Sequence, residues 1–348
     1  MTIRVAVWTS GMTARAGARV ILTHPDMELV GLYSHSPDKV GRDIGELIGV
    51  APLGLASVGS VDEIVDLRPD CVYYAPFRPD IDHVVQLLQA GIDIVSTLNK
   101  LAGDGYGIEA QARIAAACEA GGATLYTSGI YPGNVNNIAL AATAAVSRLD
   151  RITILESVDF SGYPNEAMFR AMGMDRSMDD PGAMAMLEEN CGSFKASVRF
   201  MAKALGLTLD EVRFEGTLAA ANRDTDFGFM KVSKGRIAGF KGAVKGIAGG
   251  VSRIECQFTW SLGSDMTPCF PLEHGYVVRI EGDPGLRLQI VPDYKEKLSS
   301  GSGAATATAM GCINAIRHTV AAAPGILNLN DQPFVTAWGR AGLPDLIE

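Results

Sequence analysis

The sequence has little positive charge and no long apolar run. Of its 348 residues, 30 are Lys or Arg and 39 are Asp or Glu, which gives a formal net charge of -9 at pH 7. Proteins that bind nucleic acid concentrate Lys and Arg, so we expect no nucleic-acid partner. No segment reaches the roughly eighteen apolar residues of a membrane span, and the start, MTIRVAVWTSG, lacks the pattern of an export signal. We therefore expect a cytoplasmic protein without a membrane partner.

Cysteines at metal-binding spacing are also missing. The six cysteines are scattered, with no CxxC pair and no Cys/His cluster. We expect no metal site, and we expect reduced thiols with a mostly structural role: Cys71, Cys118, Cys191, Cys256, Cys269 and Cys312.

The chain is rich in hydrophobic residues, and in residues 1–140 their spacing alternates between strand patterns and helix patterns. They make up 47% of the sequence, and 348 residues exceed the usual length of one domain, so two domains are expected. Residues 1–140 alternate strand patterns with helix patterns, which predicts an α/β fold with a Rossmann-type, doubly wound parallel sheet. The predicted strands are 3–8, Glu28–Tyr33, Cys71–Ala75, Ile92–Thr97 and Thr124–Thr127, and the helices are 14–22, Val61–Leu67, Ile81–Ala90 and Ile108–Ala120.

The remainder of the chain has a different rhythm. Residues 141–303 predict a second, α+β domain with a mixed or antiparallel sheet, whose strands alternate in period two. Within it, the segment KGRIAGFKGAVKGIAGG is rich in Gly and Lys and is predicted as a hairpin or a mobile segment. Residues 304–348 contain a helix of small residues, and we expect this helix and the tail to return to the first domain. The predicted strands of the second domain are Ile152–Val158, Ser252–Leu262 and Tyr276–Glu281.

The turn after the first strand is a candidate phosphate site. Backbone N–H groups and the helix dipole at a helix N-terminus favour a pyrophosphate. Against the fingerprint G-x-G-x-x-G, only the middle glycine is kept, with Thr9 in the first position and Ala14 in the third. An ordinary strand-to-helix turn remains the alternative. The predicted cofactor-binding residues here are Thr9, Ser10, Gly11, Met12 and Thr13.

The end of the second strand discriminates between nicotinamide cofactors. An acid at this position binds the ribose 2′-OH and repels a 2′-phosphate. The sequence YSHSPDK has no acid at the strand end, so NADP is favoured, with NAD also possible. The predicted donors to a phosphate are Ser34, His35, Ser36, Lys39 and Arg42. The alternative is that Lys39 and Arg42 are solvated charges on a loop.

Further candidates follow the later strands, at the carboxyl edge where ligands bind in open α/β sheets. Lys100 can protonate or hydrogen-bond a carbonyl oxygen during hydride transfer, and Asn99 can orient it. A solvated lysine is the alternative. Ala75, Pro76 and Phe77 are expected at the cofactor, together with Ile130, Pro132 and Gly133, and Tyr131 is expected at the substrate.

Four polar residues are weaker candidates for the substrate site. Asp159 and Tyr163 follow a strand of the second domain, and Asn314 and His318 lie on the late helix. A histidine on an apolar helix is more often a packed core residue than a proton carrier.

Several passages resemble the dihydrodipicolinate reductase-like superfamily, and more closely its 2,4-diaminopentanoate dehydrogenase and native amine dehydrogenase branch. They are IRVAVWTSG, ELVGLYSHSPDKVGRDIGEL, GIDIVSTLNK, SGIYPGN, ESVDFSGYPNEAMFRAMGM, KALGLTLDEVRFE and INAIRHTVAAAPGILNLNDQPF, so the resemblance covers nearly the whole chain. It implies a Rossmann domain, an α+β domain for substrate and dimerisation, and NAD(P)-dependent reduction of C=O or C=N. A homodimer through the second domain is therefore expected.

The chain departs from this family pattern at the predicted active site. The amine dehydrogenases have a catalytic glutamate after the strand that corresponds to Ile92–Thr97, whereas this chain reads Leu98-Asn99-Lys100-Leu101-Ala102. An amide cannot take up a proton, so the residues present do not support ammonia-dependent chemistry through that position. The Asn99-Lys100 pair is instead similar to the lysine-bearing turn of homoserine dehydrogenases. Where the family often has Ile-Pro, this chain has Ile316-Arg317.

Three hypotheses for the function follow. The first is an NADP(H)-preferring oxidoreductase that reduces C=O or C=N in a small, fairly apolar substrate. The second is an amine dehydrogenase that uses a base other than the usual glutamate. The third is a nucleotide-binding or sensing protein that has lost catalysis.

Overall fold

The computed structural model describes residues 2–293, 302–327, 331 and 335–341. The chain forms two compact units. Unit 1 consists of Met1–Asn134 and Ala304–Glu348, and unit 2 consists of Val135–Gly303.

The first part of unit 1 alternates strands with helices. Its strands are β1 (Ile3–Trp8), β2 (Met27–Tyr33), β3 (Cys71–Tyr74), β4 (Asp93–Ser96) and β5 (Thr124–Thr127). Its helices are α1 (Met12–Thr23), α2 (Ile44–Ile48), α3 (Val61–Asp66), α4 (Ile81–Gln89) and α5 (Ile108–Gly121).

Local sequence signals explain where several of these helices begin and end. Ser60 and Glu63 form a capping box at the start of α3, and Asp80 accepts hydrogen bonds from the first turn of α4. Gly91, just after α4, has φ +77°, as predicted for a residue that ends a helix. Gly17 lets α1 approach the sheet closely, because a Cβ there would lie 2.3 Å from the ring of Tyr73.

Unit 2 is built on one large sheet with helices against it. Its helices are α6 (Val135–Ala142), α7 (Glu166–Met172), α8 (Ala183–Asn190) and α9 (Gly192–Ala204). Its long strands are β6 (Arg148–Asp159), β7 (Glu211–Ala221), β10 (Ile237–Ala248), β11 (Val251–Ser261), β13 (Gly275–Asp283) and β14 (Leu286–Ile290). Its short strands are β8 (Thr225–Asp226), β9 (Lys231–Val232) and β12 (Met266–Thr267).

The chain then returns to unit 1 through α10 (Ser302–Ile313), α11 (Ile316–Thr319) and β15 (Gly325–Leu327). Strand β15 pairs in parallel with β5, and the sheet order is β15-β5-β4-β3-β1-β2. All of its strands run parallel. Apolar residues on each face of the sheet form a buried core with the helices. The prediction of a Rossmann-type parallel sheet is confirmed.

The sheet of unit 2 is mixed. Its order is β12-β7-β10-β11-β6-β13-β14, and β11 pairs with β6 in parallel while the other neighbours are antiparallel. The prediction of a hairpin in KGRIAGFKGAVKGIAGG is correct, because Gly249-Gly250 joins β10 to β11. The alternative of a mobile segment is wrong: Ile237–Ala248 forms an inner strand, hydrogen-bonded on both sides.

Three general features bear on function. In the part of the chain that the structure describes, no helix has the length and apolarity needed to cross a membrane. The same residues contain no cluster of three or more His, Cys, Asp or Glu that could hold a metal ion. All six cysteines are free thiols, and only Cys269 is exposed.

Candidate functional site

The turn between β1 and α1 presents the start of a helix at the carboxyl edge of the sheet. Gly11 is the N-cap of α1 and has no side chain to accept hydrogen bonds from the first-turn N–H groups. Those donors suit an anion, because they have no partner within the helix. A Cβ on Gly11 would meet only Thr9 Oγ1, at 3.9 Å, so the fold does not require glycine here. The residues therefore fit a pyrophosphate that approaches the backbone closely.

Thr9 has an unusual backbone conformation in this turn. Its φ is +76°, in the left-handed region that β-branched residues rarely adopt, and it stands where the fingerprint has its first glycine. The N–H group of Thr9 donates to the carbonyl oxygen of Tyr33, at 2.9 Å. The turn thus keeps the glycine-type conformation at a cost on the order of 1–3 kcal/mol.

The residues after β2 place a lysine beside the phosphate turn. Lys39 Nζ donates to Ser10 Oγ at 3.2 Å, and His35 is exposed. Ser34 is buried, and its hydroxyl has no hydrogen-bond partner among the residues that the structure describes. The first acid after the strand is Asp38, which is exposed. This side of the turn therefore offers hydroxyl and ammonium donors to an anion.

Aromatic rings line the same edge of the sheet. Trp8 and Tyr33 stack with ring centroids 4.0 Å apart, and Tyr74 and His83 lie within 5.7 Å of the Trp8 ring. Phe77 follows β3 and is 64% exposed, which is unusual for so large an apolar side chain. Ala75 and Pro76 before it are partly buried. Trp8, Tyr33 and Tyr74 are buried, so it is the exposed ring of Phe77 that can stack against a flat ring.

The loops after β4 and β5 are tied together. Asn99 is buried, and its Nδ2 donates to the carbonyl oxygen of Pro132 at 2.6 Å. Lys100, in the short 3-10 turn Asn99–Ala102, is partly buried and packs closely on Gly105, where a Cβ would lie 2.6 Å from Lys100 Cβ. The structure therefore brings Asn99 and Lys100 to the carboxyl edge, next to the loop that follows β5.

That second loop has a conformation that depends on two glycines. Tyr131 and Pro132 are extended, and Gly133 has φ +150° with Ser128 Oγ 3.1 Å from a Cβ position. Helix α10 packs on the loop so tightly that a Cβ on Gly311 would lie 2.6 Å from the carbonyl oxygen of Gly129. Tyr131 is buried and Ile130 is partly buried. The loop is thus held from two sides.

Asn314 and His318 lie elsewhere in unit 1. Asn314 shares a small cavity with Ile3 and Met27, the first residues of β1 and β2, and His318 follows it on α11. Burial lowers the pKa of His318, and the charge of Arg317 lowers it further. Parallel strands start at the edge opposite to the phosphate turn, so the structure does not bring Asn314 together with the other predicted residues.

In unit 2, Asp159 and Tyr163 organise a loop. Asp159 Oδ1 accepts hydrogen bonds from the N–H groups of Ser161 and Gly263, each at 2.9 Å. Tyr163 packs edge-on against Phe160 and Phe169, and burial raises the pKa of its hydroxyl. These contacts fix the segment between β6 and α7.

Sequence reasoning missed Glu156, three residues before Asp159. Glu156 is buried in β6, and its Oε2 accepts a hydrogen bond from Trp260 Nε1 at 2.7 Å. Burial raises the pKa of Glu156 to about 7, against the opposing effect of hydrogen bonds from Trp260 and Tyr276. The signal was present in the sequence, since Glu156 continues the inward-facing set of Ile152 and Ile154 in ITILESVD.

Comparison with known proteins identifies the family. A model of the 2,4-diaminopentanoate dehydrogenase C-terminal domain matches residues 135–342, more than half of the chain. The chain belongs to this family. The resemblance inferred from the sequence is thereby confirmed.

Two curated proteins that are similar to this member of the 2,4-diaminopentanoate dehydrogenase family are a dehydrogenase and a reductase. An amine dehydrogenase from Streptomyces virginiae is 29% identical over 357 residues, which cover 98% of this chain and 99% of that protein. A 4-hydroxy-tetrahydrodipicolinate reductase from Synechocystis is 33% identical over 58 residues, 17% of this chain and 21% of that protein. The chain is an NAD(P)-dependent oxidoreductase, as predicted.

Solved structures share the fold. The amine dehydrogenase from Mycobacterium smegmatis has a TM-score of 0.78 and 20% identity, with 97% of this chain and 98% of that chain covered. Biliverdin reductase from Synechocystis, solved with NADP+, has a TM-score of 0.51 and 13% identity over 94% of both chains. GenD2 from gentamicin A biosynthesis, solved with NAD, has a TM-score of 0.52 and 15% identity over 92% of this chain and 93% of that chain.

Proposed function

We propose that the family member prefers NADPH and uses it to reduce C=O or C=N in a small, fairly apolar substrate. The observation that carries this proposal is the set of groups at one edge of the unit 1 sheet: the uncapped start of α1, Lys39 beside it, and the Asn99–Lys100 turn. A bound NADPH supplies the hydride. The chain itself supplies binding, orientation and a proton or hydrogen-bond donor.

The cofactor would be held by residues of three loops. The N–H groups around Gly11 would bind the pyrophosphate, and Ser34, His35, Ser36 and Lys39 would bind the 2′-phosphate. Lys39 is the strongest argument for NADPH, because its ammonium already lies 3.2 Å from a hydroxyl of the phosphate turn. Phe77 and its neighbours would cover the adenine, and the loop Ile130–Gly133 would pack at the nicotinamide.

Lys100 and Asn99 would have different roles. Lys100 would donate a hydrogen bond or proton to the oxygen or nitrogen that develops negative charge as hydride arrives. Asn99 would act as a positioning residue, since its amide holds the carbonyl of Pro132 and thus the shape of the facing loop.

A second candidate is an amine dehydrogenase, which condenses a ketone with ammonia before reduction. It is favoured by the full-length similarity to the Streptomyces virginiae amine dehydrogenase. This reaction needs a group that can hold ammonia or move its proton, and Asn99 cannot do so. A base elsewhere in the chain is therefore required.

We also propose that the protein is a cytoplasmic homodimer. One face of the unit 2 sheet, opposite to its helices, bears alternating charges that include Glu215 paired with Lys245, and it forms a shallow groove with Lys241 and Gln257. A twofold axis would place such a surface against its own copy with opposite charges facing each other. Sedimentation at the mass of a dimer is expected, and sedimentation as a monomer would contradict it.

The six free thiols support the proposed cytoplasmic location, because thiols stay reduced in a reducing compartment.

The activity is tested in two steps. NADH and NADPH are titrated by fluorescence, and a panel of ketones, aldehydes and imines is then scanned for cofactor oxidation with and without ammonium. Oxidation without ammonium supports the first candidate, and strictly ammonium-dependent oxidation supports the second. Failure to bind either cofactor would overturn both.

A further inference from the structure

Glu156 occupies an inward-facing position in the middle of the unit 2 sheet. It stands beside Phe258 of β11 on one side and Tyr276 of β13 on the other. Its residue surface is only 6% exposed. A carboxyl group in such a place is costly to ionise unless a cation or several donors accompany it.

Two neutral donors hold this carboxyl group. Trp260 Nε1 donates to Oε2 at 2.7 Å, and the hydroxyl of Tyr276 donates a second hydrogen bond. Within the described residues, no Lys or Arg forms an ion pair with Glu156. The next acid along the neighbouring strand, Glu255, contrasts with it: Glu255 lies on the other face of the sheet and pairs with Arg151. A carboxylate can accept about four hydrogen bonds, so Glu156 has capacity for a further donor.

Aromatic rings surround the same point. The ring of Trp260 lies 4.5 Å from that of Phe258 and 6.2 Å from that of Phe160. Phe194 of α9 packs on both Trp260 and Phe258. Aromatic faces attract cations, most strongly where water is excluded. The group that best complements an anionic carboxylate among aromatic rings is an ammonium.

We propose that Glu156, Trp260 and Tyr276 form a binding site for an ammonium group, either free NH4+ or the primary ammonium of an organic amine. The inference rests on the proposed function, because its second candidate requires a residue that holds ammonia. Glu156 provides the charge partner, while Trp260 and Tyr276 fix the orientation of the carboxylate.

Proton release accompanies this binding. Burial raises the pKa of Glu156 to about 7, so the carboxyl group is mostly protonated at pH 6. On the same face of the sheet, β13 presents the titratable side chain of Tyr276 and β11 presents that of Cys256, together with Trp260 and Phe258; α9 presents Phe194. An arriving ammonium favours the carboxylate, so a proton leaves at pH 6 and the apparent affinity rises from pH 6 to pH 8.

The test uses the purified full chain without cofactor. Ammonium chloride and n-butylammonium chloride are titrated calorimetrically at pH 6 and pH 8, with potassium chloride at equal ionic strength as the reference. Glu156→Gln keeps the size of the side chain and an acceptor for Trp260, so it is expected to fold. Glu255→Gln is the matched control, because it neutralises a buried acid of the neighbouring strand on the other face.

We expect the wild type and Glu255→Gln to bind one or both ammonium salts more tightly than potassium, and Glu156→Gln to lose at least about tenfold in affinity. Binding of ammonium chloride identifies the free ion as the ligand, and binding of n-butylammonium alone identifies an organic amine. Equal affinity in Glu156→Gln, or equal binding of potassium, would overturn the proposal. Because no turnover is measured, this result is independent of whether NADPH binds to unit 1.

Discussion

The side-chain amide of Asn99 donates a hydrogen bond of 2.6 Å to the backbone carbonyl oxygen of Pro132. This contact joins the loop after β4 to the loop after β5. Both loops carry residues that we assign to the nicotinamide end of the cofactor site. A residue that no substrate touches can therefore control the geometry of the reacting groups.

Replacing Asn99 with alanine should loosen the loop after β5. Loss of a buried hydrogen bond costs about 1–2 kcal/mol of unfolding free energy, and misplacement of the loop should lower kcat by about tenfold. Urea denaturation and steady-state kinetics measure the two effects. Asn190→Ala is the control, since Asn190 makes the same kind of bond to the carbonyl of Ala171 at an exposed site. If Asn99→Ala behaves like this control, the positioning role is excluded.

Replacing Lys100 with methionine should abolish most of the turnover. The aliphatic stem that packs on Gly105 is kept, while the donor is removed, so kcat should fall by about 100-fold with little change in NADPH affinity. Lys203→Met, on the exposed side of α9, should leave both quantities unchanged. Unchanged turnover in Lys100→Met would remove this lysine from the mechanism.

Replacing Lys39 with alanine should weaken the binding of NADPH but not that of NADH. The ammonium beside Ser10 would no longer face the 2′-phosphate, so the Kd for NADPH should rise about tenfold and the Kd for NADH should stay constant. Arg213→Ala, which removes an exposed guanidinium paired with Glu211 in unit 2, is the control and should leave both Kd values unchanged. An equal loss of affinity for both cofactors would argue against a 2′-phosphate site at Lys39.

The sequence predicts the first unit well because its signals are local. Apolar runs such as Cys71–Tyr74 and glycines such as Gly91 define strands and helix ends without knowledge of distant partners. Pairing across the chain is not local: the parallel contact of β11 with β6 joins residues about a hundred positions apart. The same limit explains Glu156, whose importance depends on Trp260 from another strand.

The raised pKa of the buried Glu156 carboxyl group makes the stability of the protein depend on pH. Its pKa is raised in the folded state to about 7, so the folded protein binds more protons than the unfolded chain between the ordinary carboxyl value and pH 7. The unfolding free energy contributed by this group therefore falls as pH rises through that window, by about 3 kcal/mol. Asp93 acts in the same direction, since burial raises its pKa to about 6.

The comparison of wild type with Glu156→Gln isolates this contribution. The variant should gain stability relative to the wild type between pH 5 and pH 8, as measured by urea denaturation at each pH. Parallel curves for the two proteins would mean that the carboxyl group is not buried as described.

The central claim is that a dinucleotide lies against the backbone at Gly11, and titration of Gly11→Ala with NADPH tests it most directly. A Cβ at this position would meet only Thr9 Oγ1 at 3.9 Å, so the variant should fold, with a loss of at most about 1 kcal/mol from alanine as the N-cap of α1. It should nevertheless bind NADPH about tenfold more weakly, because the methyl group occupies space needed by the pyrophosphate. Gly285→Ala, at a similarly open position in unit 2, should bind like the wild type. An unchanged Kd for NADPH in a folded Gly11→Ala protein would contradict the account.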